Sequence, residues 1–332
     1  MGEANKKQHY VQKAILKKFS HKSGKQDVII IVDIKQRKIY DRNIKNVFCL
    51  PKMYDMENSA NIKIIENKLK EEIEDPMSNI INRLEQCCYT EFTITREELE
   101  TIKKYILMQL YRNKRNQLNY GNETDKWKHE ILYILQTPFD ELLKPSNQFL
   151  GVFSFALDMH CSFMMIVRTR GEFCVNEMGY ATENVCGFDN YVFFPFSPHY
   201  AILQVANAWK QYISDRLTLP NLSPVLTKYL ALPKTCYVNR AKINTDRDIW
   251  NNRDKNDEYT YHIFDITKED TDFLNTLTLN ETFEIIGVHD VNTISASIAE
   301  FKRRAKNGGA RIDYDFFDDA LKKYNDKKQQ NK

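Results

Sequence analysis

The run Asp27-Val28-Ile29-Ile30-Ile31-Val32-Asp33, followed by Lys35-Gln36-Arg37 and then Ile39-Tyr40, decides the fold class. It is apolar, rich in β-branched residues and too short for a helix, so it reads as a strand. The polar turn and the second short strand near Ile39-Tyr40 make it a β-hairpin. Upstream, Val11, Ala14, Ile15, Leu16 and Phe19 recur at spacings of three and four, with Lys13, Lys17 and Lys18 opposite. That pattern predicts a docking helix from Tyr10 to Phe19, broken at Gly24.

Downstream, two long helical patterns lie between Ile62 and Arg115, the first restarting at Asp75-Pro76, where proline fits a helix start. Thr95-Arg96-Glu97-Glu98 has the form of a capping box, so a helix starts at about Arg96 and carries Leu99, Ile102, Ile106 and Leu110 at helical period. It ends in Tyr111-Arg112-Asn113-Lys114-Arg115, a basic terminus that suits the helix dipole. A third helix spans about Asp125 to Gln136.

After Gln148 the text becomes dense in apolar residues, and strands are expected at Ser162–Val167, Phe173–Val175, Tyr191–Phe194 and Thr260–Phe264. Helices are expected at Ala206–Tyr212, Cys236–Ile243, Glu269–Leu277 and Val291–Arg304. Helices and strands segregate, which gives an α+β fold: an N-terminal helix and β-hairpin, a central helical bundle, then a mixed sheet with flanking helices. The expected organisation is one domain over residues 1–318, divisible into 1–147 and 148–318, with a charged, fraying tail over 319–332.

The chain has 332 residues, near the upper size of a single core, which stops growing at roughly 250–300 residues. With 42% hydrophobic residues, 10 Gly and 9 Pro, the composition excludes disordered and fibrous classes. A formal charge of +3 provides no global field for nucleic acid, so any basic surface is local. Seven cysteines without a Cys-x-x-Cys pair suggest neither a disulfide framework nor a zinc knuckle. The polar amino terminus lacks a signal-peptide core and no run approaches the ~18 apolar residues of a membrane span, so no membrane association and a cytoplasmic location are expected.

Several segments taken in order, Gln8-His9-Tyr10-Val11, the hairpin through Val32-Asp33, Gly171-Glu172-Phe173, Phe194-Pro195-Phe196-Ser197-Pro198 and Leu274-Asn275-Thr276-Leu277, resemble a bacterial family named domain of unknown function 4238, over roughly residues 5–290. The resemblance implies an α+β fold and mainly bacterial, soluble relatives, and brings no reaction or cofactor. Members carry proline after His-Tyr-Val, where this chain has Gln12. They also carry Ser-Asp-Asn-Pro, where it has Asn176-Glu177-Met178-Gly179.

His9 is a candidate base or metal ligand, against the alternative that its ring bonds backbone where the first helix docks. Asp33 is a candidate carboxylate, or else the cap of the hairpin turn. If the strands through Phe173 and Phe194 pair, Glu177 and Ser197 lie close and, with His9, supply the parts of a hydrolase or nuclease that would use a divalent metal. His160 and His199 each sit beside apolar residues, with no ligand spacing linking them. No metal set, cofactor or oligomeric state is assigned by the pattern, and the known nucleotide-loop, nucleophile-elbow and zincin motifs are absent. The basic clusters at Arg112, Lys114 and Arg115 and at Arg303 and Arg304, joined by Lys17, Lys18 and Lys22, point instead to a ligand- or nucleic-acid-binding module if they converge.

Overall fold

The structure, a computed structural model, describes residues 7–56, 61–145, 148–160, 162–185, 188–206, 236–238, 254, 256–305 and 313–330. The N-terminal part runs β1 (Lys7–His9), α1 (Lys13–Lys18), β2 (His21–Ser23), β3 (Gln26–Asp33), β4 (Lys38–Asn43) and β5 (Cys49–Pro51). The hairpin is therefore β3–β4. The opening helix is shorter than its apolar period, because residues 7–9 are held extended against β5 and Gln12 keeps an extended backbone before the first turn. His9 thus sits on a strand and not at a helix mouth.

The helical part comprises α2 (Ile64–Lys68), a run of wider π-type turns over Leu69–Glu74, α3 (Asp75–Glu85), β6 (Glu91–Thr95), α4 (Arg96–Tyr111), α5 (Lys114–Tyr120), α6 (Thr124–Gln136), α7 (Phe139–Leu142) and α8 (Leu150–His160). Pro76 lies in the first turn of α3, as a proline must. At α4, Thr95 Oγ1 accepts from Glu98 N–H at 3.3 Å while Glu98 Oε2 accepts from Thr95 N–H at 3.0 Å, so the capping box is formed.

The C-terminal part supplies β7 (Ser162–Thr169), β8 (Val175–Asn176), β9 (Ala181–Val185), β10 (Phe188–Pro195), β11 (Tyr200–Ala206), β12 (Cys236–Val238), β13 (Glu258–Ile266), α9 (Lys268–Glu281), β14 (Ile285–Val288), α10 (Val291–Ala305) and α11 (Phe317–Gln330). Cys236–Val238 is a strand where a helix was expected: it pairs antiparallel with Tyr259–Tyr261, and Tyr237 and Val238 are strand formers. Ala206 ends β11, and the rest of the helices expected at 206–212 and 236–243 falls outside the described residues.

A mixed sheet has the order β12-β13-β7-β11-β10-β9, with β6 also on β13 and only the β13–β7 pair parallel. A second sheet has β3 paired with β2, β4 and β14, and β14 with β8. Both sheets draw strands from either side of residue 147, so the expected division into 1–147 and 148–318 cuts through them. Ile29 and Ile31 of β3 enter the large core with α4 and α6, while Ile30 and Val32 face the core capped by α10 and α11. Burial on both faces explains why β3 does not alternate.

The tail expected to fray over 319–332 is helical as far as Gln330, in α11. Phe317, Ala320 and Tyr324 fall at helical spacing, are buried, and dock on β4, where Tyr324 Oη donates to Asp41 at 2.6 Å. Among the described residues, no helix is long and apolar enough to cross a membrane.

Candidate functional site

The capping box starts α4 so that Gln109 in its last turn and Arg112 at its C-cap, three residues apart, lie on one side of the helix end. Gln109 Nε2 donates to Tyr10 O at 3.0 Å and Met178 O at 2.8 Å, tying the start of the chain to the β8–β9 loop. Arg112, with no exposed side-chain surface, donates through Nε to Gln109 Oε1 at 3.1 Å and through Nη1 to Glu74 Oε1 at 2.7 Å. Gln12 Nε2 donates to Glu74 O at 2.6 Å, and Tyr54 Oη reaches both His9 O at 3.3 Å and Arg112 O at 3.4 Å. The result is a buried polar junction among α4, β1 and the π-type turns.

Burial opposes the charge on Arg112, but Glu74 and the phenols of Tyr54 and Tyr105 more than offset it, so its pKa stands above the ordinary value. Two junction atoms, Gln12 Oε1 and Arg112 Nη2, have no hydrogen-bond partner among the described residues. Arg112 is thus not a surface phosphate contact, which corrects the expectation for this residue: the helix end is closed over by Glu74 and Tyr54.

A second group lies where β14 begins. Glu177 is fully buried, and its Oε1 accepts from Phe283 N–H at 2.6 Å and Glu284 N–H at 2.7 Å. Desolvation lifts its pKa to about 7 against the lowering effect of those backbone bonds. Its Oε2 has no partner among the described residues. Glu284 in turn accepts from Lys35 Nζ and Lys114 Nζ, each at 2.7 Å. Partial burial pushes the Glu284 carboxyl up, yet Lys114 and Lys35 hold it below its ordinary value.

Asp33, Glu177 and Lys114 are thereby gathered about the start of β14, where Ile285 pairs with Asp33. Each is committed locally. Asp33 Oδ1 accepts from Gln36 N–H at 2.7 Å and Oδ2 from Tyr40 Oη at 3.0 Å, which is the turn-capping role. His9 Nε2 donates to Ile44 O at 3.0 Å, and burial lowers its pKa, so the ring is neutral and structural at pH 7. Ser197 Oγ accepts from His199 N–H at 3.3 Å and Tyr200 N–H at 3.2 Å, capping the β10–β11 turn away from this group. His199 Nδ1 lies 2.9 Å from Gly171 O. The expected hydrolytic set of His9, Asp33, Glu177 and Ser197 is therefore not assembled.

Arg303 and Arg304 both pair with Glu300 on their own helix, and Arg304 stacks over Phe273 at 4.4 Å, so each guanidinium already has an intrahelical partner. Lys18 pairs with Glu85 and Lys22 with Asp27. Arg115 and Lys35 remain exposed.

Tyr54, Glu74, Gln109 and Glu284 were not singled out from sequence, and Gln12 only as a departure from the family pattern. The available signal was Gln109 and Arg112, a polar pair at helical spacing beside Ile102, Ile106 and Leu110. Gly179 shows how closely the junction is packed: its φ is +73°, and a Cβ there would lie 2.6 Å from Gln109 Nε2. Gly179→Ala is expected to cost about 1–3 kcal/mol through backbone strain and displacement of that amide, read as a fall in the urea midpoint. A midpoint equal to that of the parent chain would contradict this.

No curated protein and no solved structure matches the chain. The family model described as "Protein of unknown function (DUF4238)" matches residues 7–149, which hold His9, Asp33, Arg112, Lys114 and Arg115 and end before Glu177 and Glu284. The later segments used for the resemblance lie outside that match. Over residues 7–149 the chain therefore resembles this family, whose printed description assigns no function.

Proposed function

We propose that the chain is a nucleic-acid-binding module that holds a phosphate backbone on the rim formed by Lys35, Lys38, Lys114 and Arg115. One observation carries the reading: Glu284 holds Lys35 and Lys114 at 2.7 Å each, so the hairpin tip and the first turn of α5 meet at one surface. Lys35, Lys38 and Arg115 are exposed, and Glu284 is the carboxylate that pairs with Lys35 and Lys114. Arg37 flanks them in a pair with Asp313 at 3.1 Å. Flexible lysines around a fixed anchor suit phosphate contacts, which give affinity without sequence readout.

For the alternative, a metal-dependent hydrolase, no group of three or more His, Cys, Asp or Glu residues able to hold a metal gathers among the described residues. The module is assigned to the bacterial cytoplasm, where Cys49, Cys87, Cys88 and Cys174 would stay as free thiols.

Fluorescence anisotropy with labelled single-stranded RNA and DNA at varied salt tests the reading. The double variant Lys35→Glu, Arg115→Glu is expected to lower the slope of log affinity against log salt by about two, with Arg303→Glu unchanged. Salt-insensitive or absent binding by the parent chain would sink the proposal. Gels of the same samples with Mg²⁺ or Mn²⁺ should show intact strands; metal-dependent cleavage would favour the hydrolase.

A further inference from the structure

We infer that Glu177 is a buried positioning group through which the basic rim responds to pH, the neutral carboxyl tightening the hold on a polyanion. The inference rests on the nucleic-acid-binding reading and concerns the regulation of that same site.

The geometry supplies the link. Glu177 Oε1 fixes the amides of Phe283 and Glu284, so it sets where the Glu284 carboxylate stands, and that carboxylate clamps both Lys35 and Lys114. Gln109, bonded to Met178 O, holds the Glu177 loop in place from the α4 side. The other oxygen, Oε2, is buried without a partner among the described residues, a position that stabilises a neutral carboxyl over a charged one.

The charged and titratable groups facing Glu177 come from four directions: Tyr10 after β1, Lys35 at the hairpin tip, Glu284 before β14, and Tyr314 before α11. Asp33 stands beyond Lys35, Lys114 beyond Glu284 and Cys174 beside Tyr314. Burial raises the pKa of both tyrosines, and Lys114 and Lys35 hold Glu284 ionised. With its own pKa lifted by desolvation to about 7, Glu177 is the member of this group that changes charge between pH 6 and 8. Above the transition Glu177 adds a carboxylate beside Glu284 and Asp33; below it that charge is gone, and the rim becomes more cationic by one charge.

The test is anisotropy with labelled single-stranded RNA at about pH 6 and pH 8 and constant ionic strength, for the parent chain and Glu177→Gln, which keeps an oxygen for the two amides. The parent should bind about fivefold or more tightly at pH 6, whereas Glu177→Gln should change less than about twofold and match the acidic affinity at both values. An unchanged pH ratio in Glu177→Gln would overturn the inference while leaving the binding reading intact. Absence of RNA binding at either pH removes the binding reading, and with it the inference. If Glu177→Gln does not fold, carboxyl carbon-13 NMR of the parent decides: a resonance titrating near pH 7 supports the inference, and carboxyls all titrating below about pH 5 overturn it.

Discussion

Arg112→Ala is expected to lower the unfolding free energy by about 3–5 kcal/mol, because removing one member of a buried ion pair strands the rest. Gln109 Oε1 loses its donor in a fully buried position, and Glu74 Oε1 loses its charge partner with only a quarter of its side chain exposed. A void the size of a guanidinium and its stem adds to this. Arg112→Met keeps the stem volume and should cost less, and pairing it with Glu74→Gln should recover part of the loss. Urea unfolding at constant m value measures all three. A loss below about 1 kcal/mol for Arg112→Ala would mean that the unpaired Nη2 already offsets what the pair contributes.

Trp127→Ala should have an effect of similar size, about 3–5 kcal/mol, as for other large aromatic truncations in a core. The indole lies on α6 with no exposed surface, stacks on Tyr54 at 5.8 Å, and donates through Nε1 to Tyr111 O at 2.9 Å. That carbonyl belongs to the last turn of α4, where helix carbonyls lack internal partners, so the indole closes the turn that carries Arg112. Trp127→Phe retains most of the ring and loses the donor, so about 1–2 kcal/mol is expected. Because Tyr54 touches both Trp127 and the Arg112 carbonyl, the two sites should be non-additive in a double-mutant cycle. Strict additivity would show that they belong to separate cores.

What could be read from the text was local. The β3–β4 hairpin, the capping box at Thr95, the restart at Pro76 and the periods of α4, α6, α9 and α10 each depend on residues within one or two turns of each other. The polar junction depends on partners 38 and 62 residues apart, Arg112 with Glu74 and Gln12 with Glu74. No sequence pattern distinguishes an arginine at a solvated helix end from one roofed by a distant glutamate and tyrosine. The α11 misreading has another cause: its charge density outweighed the sparse apolar spacing of Phe317, Ala320 and Tyr324. The Arg303-Arg304 pair misled in the opposite direction, since both guanidiniums are already held by Glu300, one turn earlier.

The sharing of strands across the chain has a consequence for synthesis on the ribosome. Ile30 pairs with Val288, so one edge of β3 awaits a strand about 250 residues downstream. At roughly 5–20 residues per second, that strand emerges on the order of 10–50 s later. During that interval β3 presents open backbone groups and the apolar side chains Ile30 and Val32, the pattern that invites pairing with a neighbouring nascent chain. The stretch that matches the family model therefore cannot complete its own sheet until β14 arrives.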